Sequence, residues 1–372
     1  MKVTKYIFLL ACLGFFSVLA SAQSQQQQVT DDKGRTMDIY IPIVEEVVDA
    51  ENQRNNKQFY EQEGYSYFDG YEVEFEPEQE VLTRQIKRLS ASMPLIYNEE
   101  VKRYIDRYVT VGRKSTSYLL ARAQYYNHFF EEALRAYGLP MELKHLPVVE
   151  SGLNPNAVSR VGAAGLWQFM PTTGREYDLV INSFVDERRD PIKSSYAAAK
   201  FLSTLYHRFG DWNLALAAYN CGPNRVSAAI EKAGGVSDFW AIYRFLPKET
   251  RGYVPAFIAA NYVMNYSGDY NILPESTGLP SKPGRVKVSK DLSFTEIATL
   301  LNLDIDLLKL LNPQFRQGII KTINGDATLL IPSELVERFN RTAYRLYESR
   351  SLEGQMSTST GETENQQILT LN

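Results

Sequence analysis

The chain has 372 residues, enough for two or three domains, and a formal net charge of −4 at pH 7. That charge leaves no basic footprint, so nucleic-acid binding is excluded as a function class and no nucleic acid is expected as a partner. Tyrosine is abundant, with 24 residues against 3 tryptophans. A tyrosine ring can lie on a sugar face while its hydroxyl bonds to sugar oxygens, so the excess favours a carbohydrate ligand, although helix packing accounts for most tyrosines equally well.

The first residues have the pattern of a secretory signal. Lys2 and Lys5 precede an apolar run, which leads to a small-x-small site that ends at Ala22. A chain cut there keeps one thiol, Cys221, and forms no internal disulfide. The alternative is a lipoprotein signal with a lipidated Cys12, but the apolar run would then be too short before this cysteine and would continue long after it. We expect an exported, periplasmic protein without a later membrane span, and the pattern leaves open whether it associates with the outer membrane.

Helical patterns begin after a polar arm that is expected to be disordered at first and irregular afterwards. Apolar spacing predicts a helix from Glu78 to Ser90. The stretch "NEEVKRYIDRYVTVG" predicts a second helix, with Asn98 as its N-cap and glutamates in its first turn. A third helix ends at Gly138, and Pro140 opens a short helix that leads to Glu150.

The stretch "VVESGLNPNAVSRVGAAGLWQFMP" has no helical rhythm and predicts a long ordered loop at the end of that helix. Glu150 is its only acid and Arg160 its only other charge. The ordinary interpretation is a helix-end glutamate that bonds an amide or pairs with Arg160. The apolar Trp167, Phe169 and Met170 are, however, available to desolvate the carboxyl. Desolvation raises its pKa, as a general acid facing a glycosidic oxygen requires.

The next acids give no clear second carboxylate, which glycosidases usually place across the bond. They lie in a charged stretch that is predicted to be solvated: Glu176, Asp178, Asp186 and Glu187. If the chain is a glycosidase, these acids leave open a mechanism without a second carboxylate, in which the substrate itself supplies the nucleophile. No metal or other cofactor is predicted, because the histidines show no ligand spacing. They are His128, His145 and His207.

The remaining elements fall into a helical part and a small mixed part. Asp190 and Pro191 read as the N-cap and first residue of a helix that ends at Gly210. Three more helices follow, so residues 80–267 are predicted to be all-α. After a linker, a strand, a helix with a capping box at Ser293, a second helix and a second strand form a small module.

Three motifs resemble, in order, the catalytic domain of the soluble lytic transglycosylases, which is related to goose-type lysozyme. They are "ESGLNPNAVSRVGAAGLWQFMP", "AAYNCGPNRV" and "ETRGYVPAFIAA". The upstream "MPLIYNEEVKRYIDRY" resembles the membrane-bound, D-type branch of this family. The last module resembles a LysM repeat, although "KDLSF" stands where the repeat usually has a glycine.

The resemblance implies a mainly α fold: a lysozyme-like all-α catalytic domain with a helical N-terminal arm and a small C-terminal βααβ LysM-like module. The predicted divisions are a signal peptide (1–22), a polar, partly disordered arm (23–77), a helical N-terminal extension (78–139), a lysozyme-like transglycosylase domain (140–267), a linker (268–284), a LysM-like module (285–332), and a C-terminal helix with a disordered tail (333–372).

The resemblance also implies residue roles. Glu150 matches the single catalytic acid/base. Substrate binding is implied for Ser151, Ser159, Gln168, Met170, Tyr219, Asn220 and Tyr253, the last of which matches the tyrosine beside the catalytic glutamate. The chain departs from the family at Trp167 and Cys221, where Met and Ala are common; both are interpreted as tuning, and Cys221 is expected to be a small buried residue.

The implied activity is cleavage of the β-1,4 bond between N-acetylmuramic acid and N-acetylglucosamine, with 1,6-anhydro-muramyl ends as products and peptidoglycan strands as the partner. The first alternative is a hydrolytic, goose-type lysozyme-like muramidase. The second is a non-catalytic peptidoglycan-binding protein, against which the intact Glu150 argues. The LysM-like module is expected to bind glycan on its own or to have become a structural cap.

Overall fold

The computed structural model describes residues 26–30, 36–40, 78–323 and 325–347. The predicted signal peptide, the alternative lipidation site at Cys12 and the tail after residue 347 lie outside these ranges. Most of the described chain is α-helical. In chain order its α-helices are α1 Glu78–Leu89, α2 Glu99–Val109, α3 Arg113–Ala136, α4 Leu146–Ser151, α5 Pro171–Glu176, α6 Pro191–Phe209, α7 Trp212–Cys221, α8 Pro223–Lys232, α9 Phe239–Ile242, α10 Lys248–Tyr266, α11 Phe294–Leu301, α12 Ile305–Leu311 and α13 Val336–Thr342.

The strands form three antiparallel pairs within the described ranges. They are β1 Gln26–Thr30, β2 Thr36–Tyr40, β3 Pro283–Val288, β4 Leu292–Ser293, β5 Ile319–Ile320 and β6 Ala327–Pro332. The pairs are β1 with β2, β3 with β6, and β4 with β5. The first pair lies within the polar arm, where composition alone gives no strand signal.

Local signals place several helix ends where the sequence indicated. The Asp190 carboxylate accepts hydrogen bonds from the backbone N–H groups of Ile192 and Lys193 at the start of α6, and Gly210 follows its last residue. Asn98 caps α2 in the same way. The short helices α5 and α9 were not predicted, because neither is long enough to show a helical period.

Helix α10 is the centre of the helical part. Every residue from Gly252 to Val263 is buried, as expected for a helix that other helices surround. It packs against α2, α4 and α7. Because α4 and α7 both end beside the first two turns of α10, these three helices bring their polar side chains to one place.

The C-terminal module has its own core and the predicted strand-helix-helix-strand order. β3 and β6 pair along their full length, from Pro283 opposite Pro332 to Val288 opposite Ala327. The capping box at the start of α11 is present, with Ser293 and Glu296 bonding reciprocally. The predicted mainly α fold with a small C-terminal module is confirmed. Among the helices of the described ranges, none combines the length and the apolar character needed to cross a bilayer.

Candidate active site

Glu150 lies in the last turn of α4, at a cleft between α4, α7 and α10. Its side chain is partly exposed. The hydroxyl of Tyr253, from α10, donates a hydrogen bond to Glu150 Oε1. The side chain that binds this carboxyl is therefore Tyr253, which lies about 100 residues later in the chain. The alternative in which Glu150 pairs with Arg160 is wrong.

The environment of Glu150 favours its protonated form. Burial raises the pKa of Glu150 to about 8; the hydrogen bond from Tyr253 opposes part of this rise, and the nearby Glu249 adds to it. Burial beside Glu150 also raises the pKa of Tyr253 well above its usual value, so this phenol stays a hydrogen-bond donor. At neutral pH the pair is a carboxylic acid with a transferable proton, held in place by a phenol.

The end of α7 contributes the second part of the cleft. The Tyr219 hydroxyl donates to the carbonyl of Trp167 at 2.8 Å, and its ring lies against Phe169 and Phe201. The next side chain, Asn220, accepts at Oδ1 a 2.7 Å hydrogen bond from the Thr250 hydroxyl of α10. Tyr219 thus anchors the loop of residues 152–170, which we call the cleft loop, while Asn220 ties α7 to α10.

The cleft loop is held by short backbone bridges. Ala164 bridges to both Val158 and Phe169. The Ser159 hydroxyl accepts from the Ala163 N–H at 3.0 Å, which closes the turn between them. Gln168 has a left-handed backbone with φ of 49°, and its side-chain amide donates to the carbonyl of Gly165 at 2.8 Å. These bonds fix the amide of Gln168 at the cleft wall.

The cleft encloses about 710 Å³, and all the predicted site residues except Ser151 line it. Ser151 is fully buried, and its hydroxyl donates to the carbonyls of Pro147 and Leu166. Its predicted role in substrate binding is therefore wrong, because its hydroxyl is turned into the protein, where it ties α4 to the cleft loop.

Trp167 also departs from its expected role. Phe169 and Met170 line the cleft, but Trp167 is 1% exposed and packs edge-on against Phe130 in the core. Its indole N–H donates to the Ser195 hydroxyl at 3.0 Å. Trp167 therefore supports the cleft loop from behind and does not contact the cleft.

The acids after the cleft loop are not all solvated, which corrects the sequence-based expectation. Asp186 and Glu187 are buried. Asp186 pairs with the buried Arg188, with atoms 2.8 Å apart, and Glu187 pairs with Lys193 and accepts from the N–H of Val180. These pairings join residues that a composition-based argument treats as separate surface charges.

Two further carboxylates reach the cleft. Glu176 and Glu249 are both exposed and both line it. Glu249 lies four residues before Tyr253 on α10, so the two side chains share a helix face. That spacing was the signal that could have identified Glu249 as a cleft residue.

Cys221 differs from the expected small buried residue. Cys221 is partly exposed and lines the cleft, and burial raises the pKa of its thiol.

His145 is buried on the Met141–His145 turn, and burial lowers its pKa to about 3. Across the described residues, no cluster of three or more histidine, cysteine or acidic side chains could hold a metal ion.

Two segments of the chain match known protein families. Residues 127–240 match the family described as "Transglycosylase SLT domain". The chain carries a transglycosylase SLT domain. This SLT domain contains Glu150, the cleft loop and α7, and α10 follows the matched residues. Residues 282–348 match the family described as "Lytic transglycosylase MltD, LysM-like domain".

Relatives of known name agree with these matches. Membrane-bound lytic murein transglycosylase D of Escherichia coli is 32% identical over 252 residues, which are 66% of this chain and 54% of that protein. Soluble lytic murein transglycosylase of Escherichia coli is 30% identical over 197 residues, 51% of this chain and 26% of that protein. The chain thus spans about half of the first relative's length. The solved 70 kDa soluble lytic transglycosylase of Escherichia coli aligns with 41% of this chain and 26% of its own, at 31% identity and a TM-score of 0.34.

Proposed function

We propose that the chain is a lytic transglycosylase that cleaves the β-1,4 bond between N-acetylmuramic acid and N-acetylglucosamine in peptidoglycan. The observation that supports this most directly is Glu150 in the SLT domain. It is a carboxyl with a pKa of about 8 that opens onto a cleft and accepts a hydrogen bond from Tyr253. A carboxyl that is protonated at neutral pH can give its proton to a leaving oxygen.

In the first step Glu150 donates its proton to the glycosidic oxygen as the bond from that oxygen to muramyl carbon 1 breaks. The N-acetylglucosamine side leaves as an alcohol, and positive charge develops on carbon 1 and the ring oxygen. Glu150 is then a carboxylate beside that charge. The Tyr253 hydroxyl stabilises this carboxylate by the hydrogen bond that it already donates.

In the second step the Glu150 carboxylate takes the proton from the hydroxyl on muramyl carbon 6, and that oxygen bonds to carbon 1. The ring closure gives the 1,6-anhydro end and returns Glu150 to its acid form. No water is consumed, and one carboxyl serves both steps. The substrate's own hydroxyl thus supplies the nucleophile.

The other cleft residues are assigned to substrate binding in this proposal. Gln168 and Asn220 present amide groups to N-acetyl sugars, and Met170 and Tyr219 offer apolar faces for the pyranose rings. Ser159 lines the same cleft at the turn of the cleft loop.

The proposed partner is the glycan strand of the cell wall, with the protein exported to the periplasm. The name of the first relative includes "membrane-bound", and the sequence pattern at the N-terminus favours export. The mature N-terminus, measured by mass spectrometry, decides between cleavage after Ala22 and an acylated Cys12.

Digestion of purified sacculi is expected to release muropeptides that carry anhydro-muramyl ends and are lighter by one water than lysozyme products. Mass spectrometry of the released fragments distinguishes the two products directly. Reducing ends would favour the hydrolytic muramidase instead, with Glu249 or Glu176 available in the cleft to position a water. Absence of any cleavage, with binding retained, would favour the non-catalytic wall-binding protein.

Substitution of Tyr253 by phenylalanine is expected to shift the alkaline limb of the pH–rate profile to higher pH. The acid must be protonated to act, so the wild-type rate falls as pH rises through the Glu150 pKa of about 8. The Tyr253 hydrogen bond lowers that pKa, and its loss therefore raises it. The measurement is kcat/KM on soluble glycan strands across the neutral and alkaline pH range. An alkaline limb at the same pH as in the wild type, or at a lower pH, would contradict the role of Tyr253 as a hydrogen-bond donor that lowers the pKa of Glu150.

A further inference from the structure

The C-terminal module is joined to the SLT domain by a continuous set of contacts. The turn formed by residues 181–186 lies against the loop of residues 312–318, which connects α12 to β5. Val185 forms a bridge with Phe315. The Asp186 N–H donates to the Gln314 carbonyl at 2.9 Å, and the Arg316 N–H donates to the Phe184 carbonyl at 2.9 Å.

The turn also completes the hydrophobic core of the module. Val185 is 3% exposed and belongs to the same buried cluster as Phe294, Ile297 and Phe315. Phe184 packs against this cluster from the side, with the Lys321 ammonium over its ring. A residue of the SLT domain is thus a core residue of the module, so the two parts share one packing unit.

A second contact joins β3 of the module to α3 and α6. Arg285 of β3 forms a two-pronged ion pair with Glu132 of α3, at 3.0 and 2.5 Å. The Tyr196 hydroxyl of α6 donates to the same carboxylate, and the Arg285 guanidinium lies over the ring of Phe129. The module therefore contacts the helical part at two separate places, the turn of residues 181–186 and Glu132.

The turn continues directly into the support of the cleft loop. The Asp186 carboxylate holds Arg188 through two hydrogen bonds of 2.9 and 2.8 Å, and both side chains are buried. Arg188 Nη1 then donates to the carbonyls of Gly162 and Phe169, at 2.8 and 3.1 Å. Both carbonyls belong to the cleft loop, next to residues that line the cleft. The chain of contacts therefore runs from the module, through Asp186 and Arg188, to the cleft wall.

We propose that the module is a brace for the cleft loop, through the Asp186–Arg188 pair, and so contributes to catalysis in addition to any role in wall attachment. Arg188 and Asp186 act as positioning residues. The catalytic part of this inference rests on the proposed transglycosylase function, but the ordering of the loop does not. Because small displacements of groups that position a substrate cost large factors in rate, a loosened loop slows cleavage.

The test uses the full chain with Val185→Asp and Val185→Ala, and Val286→Ala as the matched control. Val185 and Val286 are both 3% exposed and lie in the same core, but Val286 belongs to β3 of the module itself. Two readouts are taken: kcat/KM on soluble glycan strands, which need no wall attachment, and hydrogen exchange of the backbone N–H groups of Gly165 and Phe169, which bond within the cleft loop.

Val185→Asp is expected to lower kcat/KM by about tenfold to a hundredfold and to speed exchange at both loop amides by a similar factor. Val185→Ala is expected to change both in the same direction by less, and Val286→Ala to change neither. The proposal that the module braces the cleft loop is wrong if the Val185 variants lose activity only on insoluble sacculi. It is also wrong if hydrogen exchange at the two loop amides stays at the wild-type rate. If the wild type itself produces no anhydro ends, the proposed function fails. The hydrogen-exchange measurement still tests whether the module orders the cleft loop.

Discussion

Glu150→Gln is expected to lower the rate of glycan cleavage by about 10⁴-fold or more, the upper end of what general acid–base help contributes. Glutamine keeps the size of the side chain and still accepts a hydrogen bond from Tyr253, but it carries no transferable proton. In the proposed reaction the same carboxyl serves both proton transfers, so both are lost together. Because the cleft keeps its shape, binding to insoluble peptidoglycan should be largely retained.

The matched control for this substitution is Glu249→Gln. Glu249 lines the same cleft but is exposed, and the hydrogen bond from Tyr253 goes to Glu150. Its charge raises the pKa of Glu150, so its removal is expected to shift the alkaline limb to lower pH and to cost less than about tenfold at neutral pH. Equal losses for the two variants would point to a pair of carboxylates and so to the hydrolytic muramidase. Wild-type activity in Glu150→Gln would remove both cleavage mechanisms.

Much of the fold followed from local signals in the sequence. Helix α6 begins at its predicted aspartate cap and proline and ends before Gly210, and the capping box of α11 is formed as expected. These signals act within one turn of helix, so no tertiary information is needed to read them. The isolated Glu150 could be found in the same way, because a lone acid among turn-forming residues is a local pattern.

The errors arose where a side chain is defined by a distant partner. Asp186 has the pattern of a surface charge, but it is buried against Arg188, and the distant partners are the cleft-loop carbonyls of Gly162 and Phe169 that Arg188 binds. Ser151 follows Glu150 in the motif, but successive side chains of a helix such as α4 point about 100° apart, and Ser151 is turned into the core. Val185 is a core residue of the module because it contacts residues more than 100 positions later in the chain, such as Phe315. A periodic pattern in the sequence carries no information on such contacts.

Two glycines of the cleft loop, Gly162 and Gly165, differ in how closely their backbone approaches other atoms. Gly165 has φ of +87°, and a Cβ at this position would lie 1.8 Å from the carbonyl oxygen of Arg188. Gly162 has φ of +88°, but a Cβ there would meet no atom within 4 Å. The two glycines therefore share the same backbone strain on substitution and differ in the clash.

Gly162→Ala is expected to lower the free energy of unfolding by about 1 kcal/mol, the cost of placing an L-residue in the left-handed region. Gly165→Ala is expected to lower it by about 3 kcal/mol or more, because the loop must also move away from Arg188. That movement displaces Gln168, which lines the cleft three residues later, so kcat/KM on soluble glycan strands should fall by about 10²-fold in Gly165→Ala and by much less in Gly162→Ala. Denaturant unfolding and kinetics on the two variants measure both effects. If the two variants lose the same free energy of unfolding, the clash of the new Cβ with the Arg188 carbonyl oxygen adds nothing to the loss. The close approach of the Gly165 and Arg188 backbones would then have no part in shaping the cleft.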